Sequence, residues 1–137
     1  MAPATHGEWQ RANGPMKYET ITRTVEVDFS HKKLIGAAGE FARVKLRLEP
    51  LPTGSGLQFV NEAPAGLIPS EWIGGVEEGI REACRTGVVS GHPVTDLRVT
   101  LVAGAYHEVD SNWRTFSLAA RGALWDGMRK AGPTIRE

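Results

Sequence analysis

The chain has 137 residues, 41% of them hydrophobic and 23% charged, which gives room for one domain with its own core and not for two. A single cysteine, Cys84, excludes an intramolecular disulfide; no apolar run approaches the ~20 residues that span a bilayer, and the expected location is the cytoplasm. Sixteen basic residues balance sixteen acidic ones, which excludes tight RNA binding by overall charge and leaves only a local patch to meet phosphates.

Residues 1–15 carry Pro3, Gly7, Asn13, Gly14 and Pro15, lack a signal-peptide core, and read as a flexible leader. Over residues 22–29, Val25, Val27 and Phe29 alternate with Thr24, Glu26 and Asp28, the period of a half-buried strand. Residues 30–40, with His31, Lys32 and Lys33 at the start, read as a polar loop. Alternation resumes over 41–49, with Val44, Leu46 and Leu48 inward and Arg43, Lys45, Arg47 and Glu49 outward. Pro50, Pro52, Gly54 and Gly56 mark a turn into a short strand at 57–60.

Residues 69–86 read as a helix with Ile73, Val76, Ile80, Ala83 and Cys84 on one stripe. Ser70 or a neighbour is the expected cap, Glu71 suits the N-terminal dipole, and Gly87 is placed to end the helix. Gly74, Gly75 and Gly79 cost helix propensity, about 1 kcal/mol each against Ala, and close approach to the sheet is the expected compensation. A strand follows at 94–101 and a loop at 103–109. A second helix runs to about Lys130, with Asp110 or Ser111 as cap and Trp113, Phe116, Ala120, Ala123, Leu124 and Met128 as its stripe. Gly132-Pro133 ends it. The order β-β-β-α-β-α predicts an α+β fold: a two-layer sandwich with two helices on one face of a four-stranded sheet.

Several stretches resemble domain IV of elongation factor G. They are Tyr18-Glu19-Thr20-Ile21; Gly56-Leu57-Gln58-Phe59-Val60-Asn61, leading through Gly66-Leu67-Ile68-Pro69 into the first helix; Gly91-His92-Pro93-Val94 with Asp96; and Gly104-Ala105-Tyr106-His107-Glu108-Val109-Asp110-Ser111. The resemblance covers about 16–133, leaving 134–137 as a tail. It implies a fold similar to the second domain of ribosomal protein S5, with a left-handed βαβ crossover where chain sterics alone favour a right-handed one.

The resemblance also implies a role: a finger whose tip enters the decoding region of the small ribosomal subunit as tRNA and mRNA advance. The partners it implies are ribosomal RNA, the tRNA–mRNA pair and the other domains of a parent factor, with no membrane. The two tip loops correspond to residues 30–40 and 103–111. The contacts they imply are His107, Tyr106, Glu108, Asp110, Ser111 and Gly104 in one loop, and Lys32, Lys33, Gly36 and Gly39 in the other. One departure stands out. The family reads Gly-Gln-Tyr-Gly where this chain has Gly39-Glu40-Phe41-Ala42, so Glu40 sets an acid where RNA would repel it.

Read as bare residues, these positions keep their alternatives. His107 either meets RNA or fixes the turn; Tyr106 either stacks on a base or packs beneath the loop; Asp110 and Ser111 are equally explained as helix caps. No Gly-x-x-x-x-Gly-Lys-Ser/Thr stretch occurs, so a phosphate cradle is missing. No cofactor is expected; GTP and Mg would belong to a GTPase domain elsewhere. His107, Asp110 and Ser111 lie too close in sequence for a triad, and no metal-ligand spacing is present. The rival readings are a stand-alone relative that binds a protein partner and a ribosomal-protection factor.

Overall fold

Period-two alternation in two long strands sets the layout. The computed structural model describes residues 17–137, so the leader expected at 1–15 lies outside the described residues. In chain order the elements are β1 (Tyr18–Thr20), β2 (Val25–Ile35), β3 (Ala38–Pro50), β4 (Leu57–Asn61), α1 (Ser70–Ala83), β5 (Leu97–Ala105), α2 (Trp113–Lys130) and β6 (Thr134–Arg136). The main sheet has the order β2-β3-β5-β4, with β4 parallel to β5 and the other neighbours antiparallel. A chain that passes from β4 through α1 to the adjacent parallel β5 is a βαβ unit. The residues read as a tail contribute β6, which pairs with β1 in a second, two-stranded sheet.

On β3, Ala42, Val44, Leu46 and Leu48 are fully buried, while Arg43, Lys45 and Arg47 face the other way. The outward row is laced by ion pairs, of which Arg43 to Asp28 is bidentate at 2.8 and 2.5 Å. The inward row joins Leu97, Val99 and Leu101 of β5, Val76, Ile80 and Ala83 of α1, and Phe116, Ala123, Leu124 and Met128 of α2 in one core. Each large side chain among them contributes roughly 1.5–3 kcal/mol by leaving water.

The expected loop at 30–40 is instead the end of a long hairpin. Strand pairing runs from Val25↔Leu48 to Ile35↔Ala38, and only Gly36 and Ala37 turn the chain. Gly36 has φ of 61°, the positive first position that a tight two-residue turn requires. The hairpin outruns the core, so both faces are wet at its tip and the apolar alternation that betrays a strand fades there. The strand expected at 94–101 is displaced to 97–105, because Asp96 adopts φ of 62°. There its carboxylate accepts from the Gly54 and Gly56 N–H groups at 3.1 and 3.0 Å.

The helix caps also differ from expectation. Pro69, not Ser70, is the N-cap of α1, and no side chain caps it. The helix stops at Ala83, before the expected Gly87, and the indole N–H of Trp125 donates to the carbonyls of Ala83 and Thr86 at 3.1 and 3.2 Å. Trp125 of α2 thus ties down the chain as it leaves α1. The N-cap of α2 is Asn112, in a reciprocal capping box with Thr115. Finally, the α1 glycines approach α2 and not the sheet: a Cβ on Gly75 would lie 2.5 Å from the Trp113 carbonyl oxygen, and one on Gly79 would lie 2.1 Å from that of Ser117.

Candidate functional site

The hairpin tip and the segment from Tyr106 to Asn112 meet at one end of the molecule, beside the start of α2. Two hydrogen bonds clip them together, and two more close the turn of the second segment. The Ser111 hydroxyl donates to the Phe41 carbonyl at 2.6 Å and accepts from the His107 N–H at 2.9 Å. The Ser111 N–H donates to the His107 carbonyl at 3.0 Å, and the Phe41 N–H to the Asp110 carbonyl at 2.9 Å. Ser111 is buried, so it is a clip inside the site and not a helix cap or an exposed contact. Replacing it with Ala is expected to cost about 1–2 kcal/mol in urea unfolding and to speed amide exchange at His107 and Phe41.

His107 lies face to face with Phe41, with ring centroids 4.0 Å apart and planes 10° from parallel. Its turn is held by its main-chain groups, which leaves the ring as an exposed plate. Asp110 covers Gly39: a Cβ there would lie 3.0 Å from the carboxylate, which would have to give way slightly. A groove of about 290 Å³ runs between the two segments, lined by Lys32, Lys33, Leu34, Gly39, Glu40, Phe41, His107 and Asp110. Lys32 and Lys33 are exposed and have no ion-pair partner among the described residues. Leu34 and Val109 are 79% and 92% exposed at the tip, and Glu108 is exposed beside Val109.

One expected contact, Gly104, lies inside the sheet. Gly104 is buried in β5, where a Cβ would lie 2.5 Å from Ile68 Cδ1 and 2.6 Å from the Arg43 carbonyl oxygen. It lets the sheet and the 61–69 segment close and touches nothing outside. Tyr106 meets Trp72 edge-on at 5.7 Å, and Trp72 stacks on the buried Phe116 at 5.8 Å, so Tyr106 anchors the loop to the core while the residue stays 36% exposed.

Glu40 departs most from expectation. It belongs to the inward row of β3 with Ala42 and Val44, and so turns away from the Phe41–His107 face. One carboxylate oxygen meets His31 Nε2 at 3.1 Å and the other meets Arg114 in the first turn of α2. The hydrogen bond to His31 and then the Arg114 guanidinium hold its carboxyl below the usual range, against a smaller opposing effect of burial. Phe41, His31 and Arg114 are not among the expected site residues. Phe41 carries a signal, since alternation with Arg43 puts an aromatic ring on the outward face; Arg114 carries none, because it comes from 74 positions away.

The Ser111 hydroxyl is engaged by main-chain groups, and no cluster of three potential metal ligands exists among the described residues. Burial pushes the Cys84 thiol up to about 12, so it stays protonated and inert.

With that geometry in hand, comparison with known proteins is decisive. The family model described as Elongation factor G, domain IV, matches residues 16–132. The chain belongs to this family. Elongation factor G of Orientia tsutsugamushi (strain Boryong) is 49% identical over 117 residues, which cover 85% of this chain and 17% of that protein. Elongation factor G of Anaplasma marginale (strain Florida) is 48% identical over 119 residues, 87% of this chain and 17% of that protein. A crystal structure from Thermus thermophilus superposes with a TM-score of 0.81 at 38% identity, covering 87% of this chain and 18% of that one. The chain thus spans about a sixth of the length of the elongation factor G relatives it matches. As domain IV of such a factor, it is a translation-factor domain with the expected two-helix, four-stranded architecture. No helix among its described residues is long and apolar enough to cross a membrane.

Proposed function

We propose that this domain is the ribosome-contacting finger of an elongation factor G-like GTPase, and that its tip enters the decoding region during tRNA–mRNA translocation. The observation that carries the reading is the exposed His107 ring stacked on the half-buried Phe41, flanked by the unpaired Lys32 and Lys33. A stacked imidazole offers a flat face and ring N–H groups to an unpaired base or a phosphate, and two lysines supply neutralising charge. The domain does no chemistry in this reading. GTP and Mg are handled by another domain of the parent factor, and the finger hinders tRNA from slipping back by occupying space. Small-subunit RNA and the tRNA–mRNA pair are its partners, and the cytoplasm is where they meet.

The test is co-sedimentation with whole ribosomes across a salt series, comparing wild type with a His107→Ala, Lys32→Ala, Lys33→Ala variant. Loss of two phosphate contacts is expected to flatten the salt dependence by about 1.4 in log–log slope if the contacted RNA is single-stranded. In a whole factor, His107→Ala is expected to slow translocation and leave the domain's unfolding midpoint unchanged. Equal translocation with and without the imidazole would remove His107 from the reading.

A further inference from the structure

The tip carries more cations than it shows. Strand alternation sends Lys32 to the Phe41 side and Glu40 to the helix side, where His31 and Lys33 of β2 share its face. Arg114 reaches the same spot from the first turn of α2. That is an unfavourable place for a cation, since the helix N-terminus is itself positive. Glu40 resolves the conflict: its carboxylate spans His31 and Arg114, with only 17% of its side chain exposed, whereas Arg114 is 66% exposed. A guanidinium that open would otherwise be a ready phosphate ligand beside the groove.

We infer that Glu40 is a charge-limiting and positioning residue of the tip: it ties the hairpin to α2 and holds Arg114 out of service for anionic partners. The acid that the linear sequence sets against RNA acts on its own neighbours, so the groove meets phosphates through its lysines and His107 without Arg114. This rests on the proposed role of the tip as an RNA-contacting surface and adds what sets the strength of that contact. A weak, easily released grip suits a finger that must enter and leave a site at each round.

The test is a cycle of Glu40→Gln, Arg114→Gln and the double variant, read as the salt dependence of binding to poly(U) and to whole ribosomes. The amide of Glu40→Gln keeps an acceptor for His31 and removes the charge that holds Arg114. Its binding is expected to tighten at low salt, with a log–log slope on poly(U) steeper by about 0.7, the single-strand value for one more neutralised phosphate. Arg114→Gln alone is expected to leave the slope unchanged, and the double variant to return to wild type. A purely structural clip would not give that pattern of restoration. A slope that flattens on Arg114→Gln alone, or stays the same on Glu40→Gln while wild type binds, overturns the inference and leaves the proposed role intact. Absence of binding by every variant at low salt overturns both. The Arg114 Nη1 hydrogens, which bond the Glu40 carboxylate, report the clip in NMR without any RNA: they are expected to exchange slowly in wild type and fast in Glu40→Gln, and fast exchange in wild type would overturn the inference by itself.

Discussion

Gly79→Ala is expected to destabilise the domain by about 2–3 kcal/mol, although the same exchange in an open helix stabilises by about 1 kcal/mol. The reason is the α1–α2 contact. A Cβ at Gly79 would lie 2.1 Å from the Ser117 carbonyl oxygen and 2.9 Å from its carbon. Those are main-chain atoms of a packed helix, so no rotamer change relieves the overlap and the helices must part. Parting them would open the core between Val76, Ile80 and Phe116, which are fully buried. Gly74 provides the control on the same helix. It is exposed, and a Cβ there would meet only Trp113 Nε1, at 3.6 Å. Gly74→Ala is therefore expected to raise stability by up to about 1 kcal/mol. Urea unfolding of the two variants checks both signs at once. A Gly79→Ala protein as stable as wild type would mean that the helices are not held this closely.

What can be read from residues alone follows from where water is excluded. Val44, Leu46 and Leu48, or Val76, Ile80 and Ala83, face a core on one side and water on the other, so their periods are visible and the two-layer sandwich with its element order is legible. The hairpin tip has water on both faces. His31 to Ile35 therefore looks like a loop even though every residue there is paired across the turn. The helix glycines are legible as costly, but not what they compensate, because nothing in the local pattern says whether α1 leans on the sheet or on α2.

At the candidate site the same division holds. His107, Lys32 and Lys33 are visible as residue types in an exposed segment. The clip between Ser111 and Phe41 joins positions 70 apart, and that between Arg114 and Glu40 joins positions 74 apart; no spacing rule reaches so far. Ser111 and Asn112 make the point on a small scale. Either can cap a helix, and what decides is that Ser111 is already committed to Phe41, so the cap falls to Asn112 with Thr115 as its reciprocal partner. Glu40 misleads for a related reason: its charge is visible in the sequence, but its partner Arg114, 74 positions away, is not.

Glu19 is the residue whose weight is least visible in the sequence, and its loss is expected to be among the most damaging. It lies in β1, fully buried, with a carboxylate in the turn between α1 and β5. The Val89 N–H donates to one oxygen at 2.9 Å, and the Ser90 N–H and hydroxyl donate to the other at 2.8 and 3.1 Å. Gly87 is glycine because a Cβ would lie 2.0 Å from this carboxylate. The main chain of Glu19 adds bonds to the Pro93 carbonyl and from the Thr95 N–H, so β1 and the 87–93 turn stand or fall together. Glu19→Ala strands two amide donors and is expected to cost about 3 kcal/mol. Glu19→Gln keeps the shape, but its amide can accept on one side only and turns N–H toward N–H on the other; about 2 kcal/mol is expected. The pH dependence separates charge from shape. Burial pushes the Glu19 carboxyl up, but the bonds from Val89 and Ser90 together outweigh it, so the folded value lies below the free one. A carboxyl lowered by folding stabilises the native state above its unfolded pKa, about 4.3 for glutamate, and that share is lost as pH falls through the folded value. Wild type is therefore expected to lose more stability than Glu19→Gln between about pH 6 and about pH 3, so the gap between their urea midpoints narrows on acidification. Parallel loss in the two proteins would mean that the bonds of Glu19 do not favour its charged form, and its carboxylate would then hold the turn by shape alone.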